Sequence, residues 1–308
     1  MKAIRLHARG GPESLRFEDA PTPRPGPGEV LVRVRAAAVT PTELLWVPTW
    51  ATRDGGPRPL PLIPGHEFSG EVAALGEGVT AVGVGEAVYG MNDWFGDGAQ
   101  AEYCLARPAD VARKPASVDH AHAAVTPISA LTAWQGLFER ARLAAGEHVL
   151  IHGGAGGVGV FAVQLARRCG ARVTATAGAG NLDFVRGLGA DQVIDYRAER
   201  FEERVRGVDA VFDTVGGDTL RRSWGVLRPG GRLVTIAASE EGSQDERTRA
   251  AFFIVEPRRA ELEEVARLID SGEVRPVVGA EFPLADALGA YRYKPARGKV
   301  LLRVGDPG

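Results

Sequence analysis

A short glycine-rich segment carries the clearest chemical signal in this sequence. Residues 153–159 read Gly-Gly-Ala-Gly-Gly-Val-Gly, and Gly154, Gly156 and Gly159 satisfy the pattern G-x-G-x-x-G. The segment follows a strand-like run that ends at Ile151 and opens a helical run, which is the context of a dinucleotide-binding turn. Such glycines permit the tight turn, let the backbone approach a pyrophosphate at the helix N-terminus and let the helix pack on the strand; the alternative is a glycine-rich turn without a ligand. We predict that six residues contact the dinucleotide: Gly154, Ala155, Gly156, Gly157, Val158 and Gly159.

The residues that follow the second strand of this unit indicate which dinucleotide binds. An NAD site places an acidic residue there to hold the ribose 2′-hydroxyl, but residues 174–181 contain none. A carboxylate would repel a 2′-phosphate, so its absence favours NADP. We interpret the nearby Asp183 as a residue of the first turn of the next helix. Tyr196 and Arg197 follow the third strand and are candidates for contacting the phosphate, or they form a solvated turn.

The elements that must position this turn fall into two groups. The first third of the chain predicts short strands, because the valines at 30, 32 and 34 share one face while Arg33 and Arg35 lie on the other, and later runs are broken by glycine every few residues. This pattern favours a small, curved, barrel-like β domain. From residue 121 onward, strand-like and helical runs alternate, which predicts an α/β domain with a parallel sheet and helices on both faces.

The end of the chain predicts a return to the first domain. Residues 239–249 are polar and predict an exposed loop, and the apolar residues 250–255 predict a strand at a sheet edge before Pro257. Residues 260–269 predict a helix, and residues 299–304 a strand that completes the β domain. We therefore expect a discontinuous substrate domain over residues 1–120 and 260–308, and a dinucleotide-binding domain over residues 121–259.

Composition excludes several classes of protein. The 308 residues include 37 basic and 39 acidic side chains, so the formal charge of −2 gives no electrostatic argument for nucleic acid or an anionic membrane as a partner. No apolar run approaches the length of a transmembrane helix, and charges near Met1 argue against a signal peptide. The two cysteines, Cys104 and Cys169, exclude a disulfide framework. We expect a soluble, cytoplasmic protein that acts on a small molecule.

Five segments together resemble the medium-chain dehydrogenase/reductase superfamily, over essentially the whole chain, and within it the zinc-independent quinone oxidoreductase branch. The segments are 64–70 (PGHEFSG), 98–103 (GAQAEY), 130–134 (ALTAW), the glycine turn and 213–217 (DTVGG). The resemblance implies a chaperonin-10-like (GroES-like) β-barrel domain joined to a doubly wound Rossmann domain. It also implies NADPH in the cleft between them, and a homodimer joined through the strand Phe252 to Val255.

The resemblance also bears on zinc. Zinc-dependent relatives bind the metal with a cysteine, the histidine of the Gly-His-Glu motif and a second cysteine or acid. His66 is present here, but the first cysteine position matches Thr40 and the later one falls at about Ile128. Neither side chain can supply a thiolate. We therefore predict no metal, and a hydrogen-bonded structural role for His66.

Further site residues are implied by the same resemblance. Relatives carry Asn-Pro-x-Asp near the nicotinamide where this chain has Thr40-Pro41-Thr42-Glu43, so Thr40 and Glu43 are candidate catalytic residues. Trp46 and Trp50 would form a flat wall for a planar substrate, or they pack the domain. Leu182 stands where some NADPH-binding relatives have a lysine. The other predicted cofactor contacts are Thr126, Thr176, Gly178, Tyr196, Gly217, Ile236, Ala237, Ala238, Phe253, Ile254 and Val255.

Together these features predict an NADPH-dependent oxidoreductase that transfers hydride to a quinone or an α,β-unsaturated carbonyl without zinc. Such acceptors stabilise the added charge themselves, so the protein's task is to orient two rings and exclude water. Two alternatives stay open: reduction of an enoyl thioester, and a non-catalytic NADPH-binding sensor.

Overall fold

The computed structural model describes residues 1–240 and 242–305, but only the backbone of Ala238. The side chain of Ala238, a predicted cofactor contact, therefore lies outside the described part, as do the last three residues of the predicted substrate domain. The first part of the chain is β structure with one short helix. Its elements are β1 (Lys2–Leu6), β2 (Leu15–Asp19), β3 (Val30–Val39), α1 (Val47–Trp50), β4 (Glu67–Leu75), β5 (Ala87–Met91), β6 (Tyr103–Ala106) and β7 (Val111–Arg113).

The middle of the chain alternates helices and strands, as predicted. Its elements are α2 (His120–Ala124), α3 (Pro127–Trp134), β8 (His148–Ile151), α4 (Gly157–Arg168), β9 (Arg172–Ala177), α5 (Leu182–Gly187), β10 (Gln192–Asp195), α6 (Phe201–Arg204), β11 (Val208–Asp213), α7 (Gly217–Ser223), β12 (Leu227–Thr235) and α8 (Glu246–Ala251). The last elements are α9 (Arg259–Asp270), β13 (Val278–Pro283), α10 (Ala287–Arg292) and β14 (Lys299–Arg303). Within the described residues, no helix is long and apolar enough to span a bilayer.

Strands β8 to β12 form a five-stranded parallel sheet in the order β10-β9-β8-β11-β12. The chain runs from β8 outward to β10 and then crosses to β11, so the direction of winding reverses between β8 and β11. In open sheets of this kind, ligands bind outside the carboxyl ends of the strands at that reversal. The glycine turn follows β8 directly, so the fold places it at this point and confirms the predicted α/β architecture.

The β domain is a seven-stranded sheet that the C-terminal strands join. The ordered path is β13-β14-β3-β4-β5-β7, with β6 also paired to β3. Strand β14 runs antiparallel to β3, and β13 runs parallel to β14. The tail therefore returns to the first domain, as the strand-like run at 299–304 predicted.

Helix α9 joins the two parts. Its Val265 and Leu268 belong to the core beneath the parallel sheet, whereas Leu262 packs in a cluster with Tyr89 and Met91 of β5. The hydroxyl of Tyr89 also donates to the backbone oxygen of Leu262 at 2.5 Å. Because this helix contacts both cores, the domain boundaries at residues 120 and 260 stay a prediction.

The predicted edge strand over residues 250–255 is wrong, and the loop predicted over residues 239–249 is wrong from residue 246 onward. Residues 246–251 are helical instead, because Asp245 caps the helix and its Oδ2 accepts from the Thr248 backbone nitrogen at 2.9 Å. Only Phe252 pairs with the sheet, through a single bridge to Thr235. The homodimer expected through this segment stays a prediction.

Candidate functional site

A cavity of about 330 Å³ lies where the two domains meet. Its walls are mostly apolar, and nine of its lining residues were predicted from the sequence: Thr40, Trp46, Gly157, Val158, Ile236, Ala237, Phe253, Ile254 and Val255. The cavity therefore brings together residues of the β domain, the glycine turn and the segment after α8. Six further lining residues that could contact a ligand were missed: Trp94, Ser129, Thr132, Thr214, Tyr293 and Lys299.

The glycine turn has the geometry that a dinucleotide phosphate needs. The backbone nitrogen of Gly154 donates to the Thr176 carbonyl at 2.9 Å, which fixes the turn on β9. A Cβ at Gly159 would lie 2.0 Å from the Gly153 carbonyl oxygen, so only glycine lets α4 approach this closely. The first N–H groups of this twelve-residue helix have no partner within it. Such a helix end binds phosphate through its N–H groups and dipole, so these residues fit the pyrophosphate of a dinucleotide.

Strand β14 begins directly against this turn. The backbone nitrogen of Gly298 donates to the Ala155 carbonyl at 2.9 Å, and Gly298 forms a parallel bridge with Gly156. The next residue, Lys299, lines the cavity. Backbone contacts therefore join the start of β14 to the glycine turn.

The side chain of Lys299 pairs with a buried carboxylate. Its Nζ donates to Oε1 of Glu67, a residue with no exposed side-chain surface, while the other oxygen of Glu67 accepts from the Ile128 backbone nitrogen at 3.0 Å. Burial lowers the pKa of Lys299 to about 7, against the attraction of Glu43. Burial therefore favours the neutral form of this lysine, and its ion pair with Glu67 opposes that effect.

The two candidate catalytic residues have different surroundings. Thr40 lines the cavity, and its buried Oγ1 has no hydrogen-bond partner among the described residues. Glu43 is only 1% exposed and lies behind the wall, where one oxygen accepts from the Gly65 backbone nitrogen and from Nδ1 of His66, each at 2.7 Å. We therefore assign Glu43 to holding the loop and His66 in place, which corrects its prediction as a catalytic residue.

Two tryptophans form an aromatic wall. The rings of Trp46 and Trp94 meet edge to face, with centroids 5.2 Å apart, and both line the cavity. The indole nitrogen of Trp94 donates to the Val255 carbonyl at 3.3 Å, which joins the wall to the segment after α8. Trp50 does not line the cavity: its indole nitrogen donates to the Leu44 carbonyl at 2.8 Å, and its ring packs on the β-domain core. The predicted substrate contact is therefore corrected for Trp50 and kept for Trp46.

The adenosine end of the expected site lies beyond β9. Gly178 follows this strand, and a Cβ built there would lie 3.7 Å from the Tyr196 ring. Tyr196 is 55% exposed, and the guanidinium of Arg197 lies 5.4 Å from the centre of its ring. The ring of Tyr196 and the guanidinium of Arg197 therefore lie next to the turn at which an NAD site would carry an acid.

Three predicted cofactor contacts have polar groups that form hydrogen bonds within the protein. Thr126 is buried, and its hydroxyl donates to the His122 carbonyl at 2.8 Å. Thr176 is also buried, and its hydroxyl accepts from the Gly153 backbone nitrogen at 3.2 Å. The backbone nitrogen of Gly217 donates to Glu240 at 3.0 Å. The cofactor roles of Thr126, Thr176 and Gly217 stay predictions.

The positions that hold zinc in zinc-dependent relatives carry a poor set of donors here. Thr40 and Ile128 both line the cavity, whereas Nδ1 of His66 is used by Glu43 and its Nε2 faces the Gly96 carbonyl at 3.3 Å. Among the residues that the structure describes, no group of three or more His, Cys, Asp or Glu side chains could hold a metal ion.

Comparison with known proteins agrees with this architecture. The family model for the alcohol dehydrogenase GroES-like domain matches residues 26–116, and the model named zinc-binding dehydrogenase matches residues 188–302. An NADPH-dependent alkenal/one oxidoreductase of Arabidopsis thaliana chloroplasts is 32% identical, over 98% of this chain and 79% of its own length.

Two solved structures are similar over nearly the whole chain. A quinone oxidoreductase from Coxiella burnetii is 32% identical with a TM-score of 0.87, covering 99% of both chains. A mycobacterial protein solved with NADPH is 33% identical with a TM-score of 0.83, covering 99% of this chain and 100% of its own. The glycine turn, the two-domain fold and these relatives lead to one conclusion: the chain is an oxidoreductase that belongs to the quinone oxidoreductase branch of the medium-chain dehydrogenase/reductase superfamily.

Proposed function

We propose that this protein uses NADPH to reduce quinones or α,β-unsaturated carbonyl compounds, and that it does so without zinc. The observation that carries the proposal is a single cavity with two kinds of wall. Its lining includes Gly157 and Val158 at the start of α4 and the rings of Trp46 and Trp94. A phosphate-binding helix end and an aromatic wall in one cavity suit a dinucleotide and a planar acceptor together.

When bound, the nicotinamide supplies the hydride, and the protein orients it. The N–H groups at the start of α4 hold the pyrophosphate. The segment Phe253 to Val255, together with Ile236 and Ala237, walls the cavity and limits where the nicotinamide ring can lie. Because most of these groups are apolar, they also exclude water. The protein contributes to hydride transfer by orienting the reactants and by excluding water from the site.

NADP is favoured over NAD by charge at the adenosine end. Residues 177–181 carry no acid, and Arg197 beside Tyr196 offers a cation to a 2′-phosphate. The Arabidopsis relative is named as NADPH-dependent and the mycobacterial structure contains NADPH, which supports this choice.

The donor set and the proposed acceptors both support a reaction without zinc. Without a thiolate at Thr40 or Ile128, the cavity lacks the ligands for a catalytic zinc ion. Quinones and enones delocalise the charge that hydride addition creates, so they need no Lewis acid, whereas dehydrogenation of an alcohol does.

The direct test is NADPH oxidation by an ortho-quinone and by a medium-length enone, each with a chelator present, repeated with NADH. We expect turnover with NADPH well above that with NADH and no effect of the chelator. Loss of activity in chelator, or stoichiometric zinc in protein purified without added metal, would contradict the zinc-independent reaction. Cofactor binding without oxidation by either acceptor would favour a thioester substrate or a sensor instead.

A further inference from the structure

Lys299 is the one charged side chain that lines the cavity within the described residues, and the reaction proposed above gives it no role. The other polar side chains there include the hydroxyls of Thr132 and Thr214, which donate to backbone carbonyls at 2.5 and 2.8 Å. These hydroxyls are therefore not free to donate to a ligand. The unpartnered hydroxyl of Thr40 can form a hydrogen bond, but an alcohol is a weak acid.

The surroundings of Lys299 suit a group that gives up a proton and regains it. The side chain is only 11% exposed, and two carboxylates face it: Glu67, which accepts from Nζ, and Glu43, which attracts it from behind the wall. Tyr293 is the other titratable side chain along this wall. Burial disfavours the charged form, and a general acid works best when its pKa lies near the working pH.

Reduction of an enone needs such a group. Hydride forms a new C–H bond at the β-carbon, and the electron pair of the double bond moves onto the carbonyl oxygen as an enolate. The enolate must then take a proton at its α-carbon before a saturated ketone is released. We propose that the ammonium of Lys299 donates this proton, an inference that rests on the proposed enone reduction. The N–H bond of Lys299 breaks as the α-carbon C–H bond forms, and the neutral amine regains a proton from water.

The configuration of the product tests this role better than the rate does. With 2-methylcyclohex-2-enone, protonation at the α-carbon creates a stereocentre, so an enolate protonated by a fixed group gives one enantiomer. We expect one enantiomer from the wild type. In Lys299→Arg the guanidinium keeps a charge beside Glu67 but does not release its proton, so we expect a near-equal mixture and a turnover rate about a hundredfold lower.

Matched variants separate this role from a structural one. Lys294→Arg makes the same change at an exposed lysine outside the cavity and should keep both rate and configuration. Thr40→Val tests the other candidate donor: loss of the single configuration in this variant, and not in Lys299→Arg, would overturn the proposal. If Lys299→Arg does not fold, Lys299→Gln, which keeps a hydrogen-bond donor beside Glu67 but has no proton to give, replaces it, and a single enantiomer from that variant would overturn the proposal.

The outcomes distinguish the two proposals. If the wild type does not oxidise NADPH with any of the acceptors, the proposed function fails and the role of Lys299 fails with it. If the wild type reduces the enone but gives a racemic product, or if Lys299→Arg keeps the single enantiomer, only the role of Lys299 is overturned.

Discussion

The Nδ1 atom of His66 lies 2.7 Å from the Oε1 atom of Glu43, and both side chains are 1% exposed. The same oxygen accepts from the Gly65 backbone nitrogen. A carboxylate held in this way fixes the orientation of the histidine and the turn before β4. It lies behind the cavity wall that Thr40 forms, so its contribution is to the shape of the site.

This arrangement predicts that Glu43 matters for stability more than for turnover. In Glu43→Ala, two buried N–H groups lose their acceptor, which should lower the free energy of unfolding by about 3 kcal/mol. Glu43→Gln keeps an oxygen there and should lose about 1 kcal/mol. Urea unfolding measures both values. Turnover of folded Glu43→Gln should stay within threefold of the wild type, and a hundredfold loss would instead restore Glu43 as a catalytic residue.

Trp46 and Trp50 provide a matched pair of variants that tests the aromatic wall. Trp46→Ala removes a ring that lines the cavity, so KM for a planar quinone should rise about tenfold while the free energy of unfolding changes little. Trp50→Ala removes a ring that packs on the β-domain core, so the protein should lose about 3 kcal/mol of stability and keep its KM. Steady-state kinetics and urea unfolding of both variants decide the assignment, which a reversed pattern would contradict.

The parts of the site that sequence predicts are those encoded by a few neighbouring residues. The turn at 153–159 combines a strand, spaced glycines and a helix start within a short segment, and the structure places Gly157 and Val158 in the cavity. The alternation of strand and helix after residue 121 is likewise local. These signals depend on backbone conformation, which neighbouring residues largely determine.

The parts that sequence does not predict come from contacts between distant segments. Lys299 and Glu67 are 232 positions apart, and Trp94 and Val255 are 161 apart, so no spacing pattern connects them. The strand prediction for residues 250–255 failed for a different reason, because a short apolar run is equally typical of a buried strand and of a helix. There the deciding signal was the cap at Asp245.

The close approach at the glycine turn makes a sharp prediction about Gly159. A methyl group there would lie 2.0 Å from the Gly153 carbonyl oxygen, so Gly159→Ala must push α4 away from β8. We expect a loss of about 3 kcal/mol in the free energy of unfolding and weaker NADPH binding, measured by cofactor fluorescence. Gly187→Ala is the control, because a methyl group at Gly187 meets nothing within 4 Å. Equal stability of the two variants would contradict the packing described for the turn.

The adenosine end predicts a selective effect of Arg197. Its guanidinium stands beside Tyr196 and is a candidate partner for a 2′-phosphate that NADH lacks. Arg197→Ala should therefore raise the Kd for NADPH about tenfold and leave the Kd for NADH unchanged. Arg200→Ala serves as the control, because Arg200 is engaged by Glu202 at 2.8 Å. An equal effect of Arg197→Ala on both cofactors would place the 2′-phosphate elsewhere.

The last prediction concerns His152, which is buried directly before the glycine turn. Its Nε2 lies 2.9 Å from the Ser223 hydroxyl and its Nδ1 3.2 Å from that of Thr176, and burial, aided by the charge of Arg222, lowers its pKa to about 3. In the unfolded chain the pKa is near 6.5, so between these values the unfolded state binds the extra proton. Stability from this group is therefore complete above pH 6.5 and falls by up to about 1.4 kcal/mol per unit as the pH drops towards 3. Urea unfolding of His152→Gln at pH 7.5, 6 and 5 should show lower stability at pH 7.5 and a shallower fall than the wild type. Parallel slopes for the wild type and His152→Gln would show that the buried imidazole does not govern the acid sensitivity of the fold.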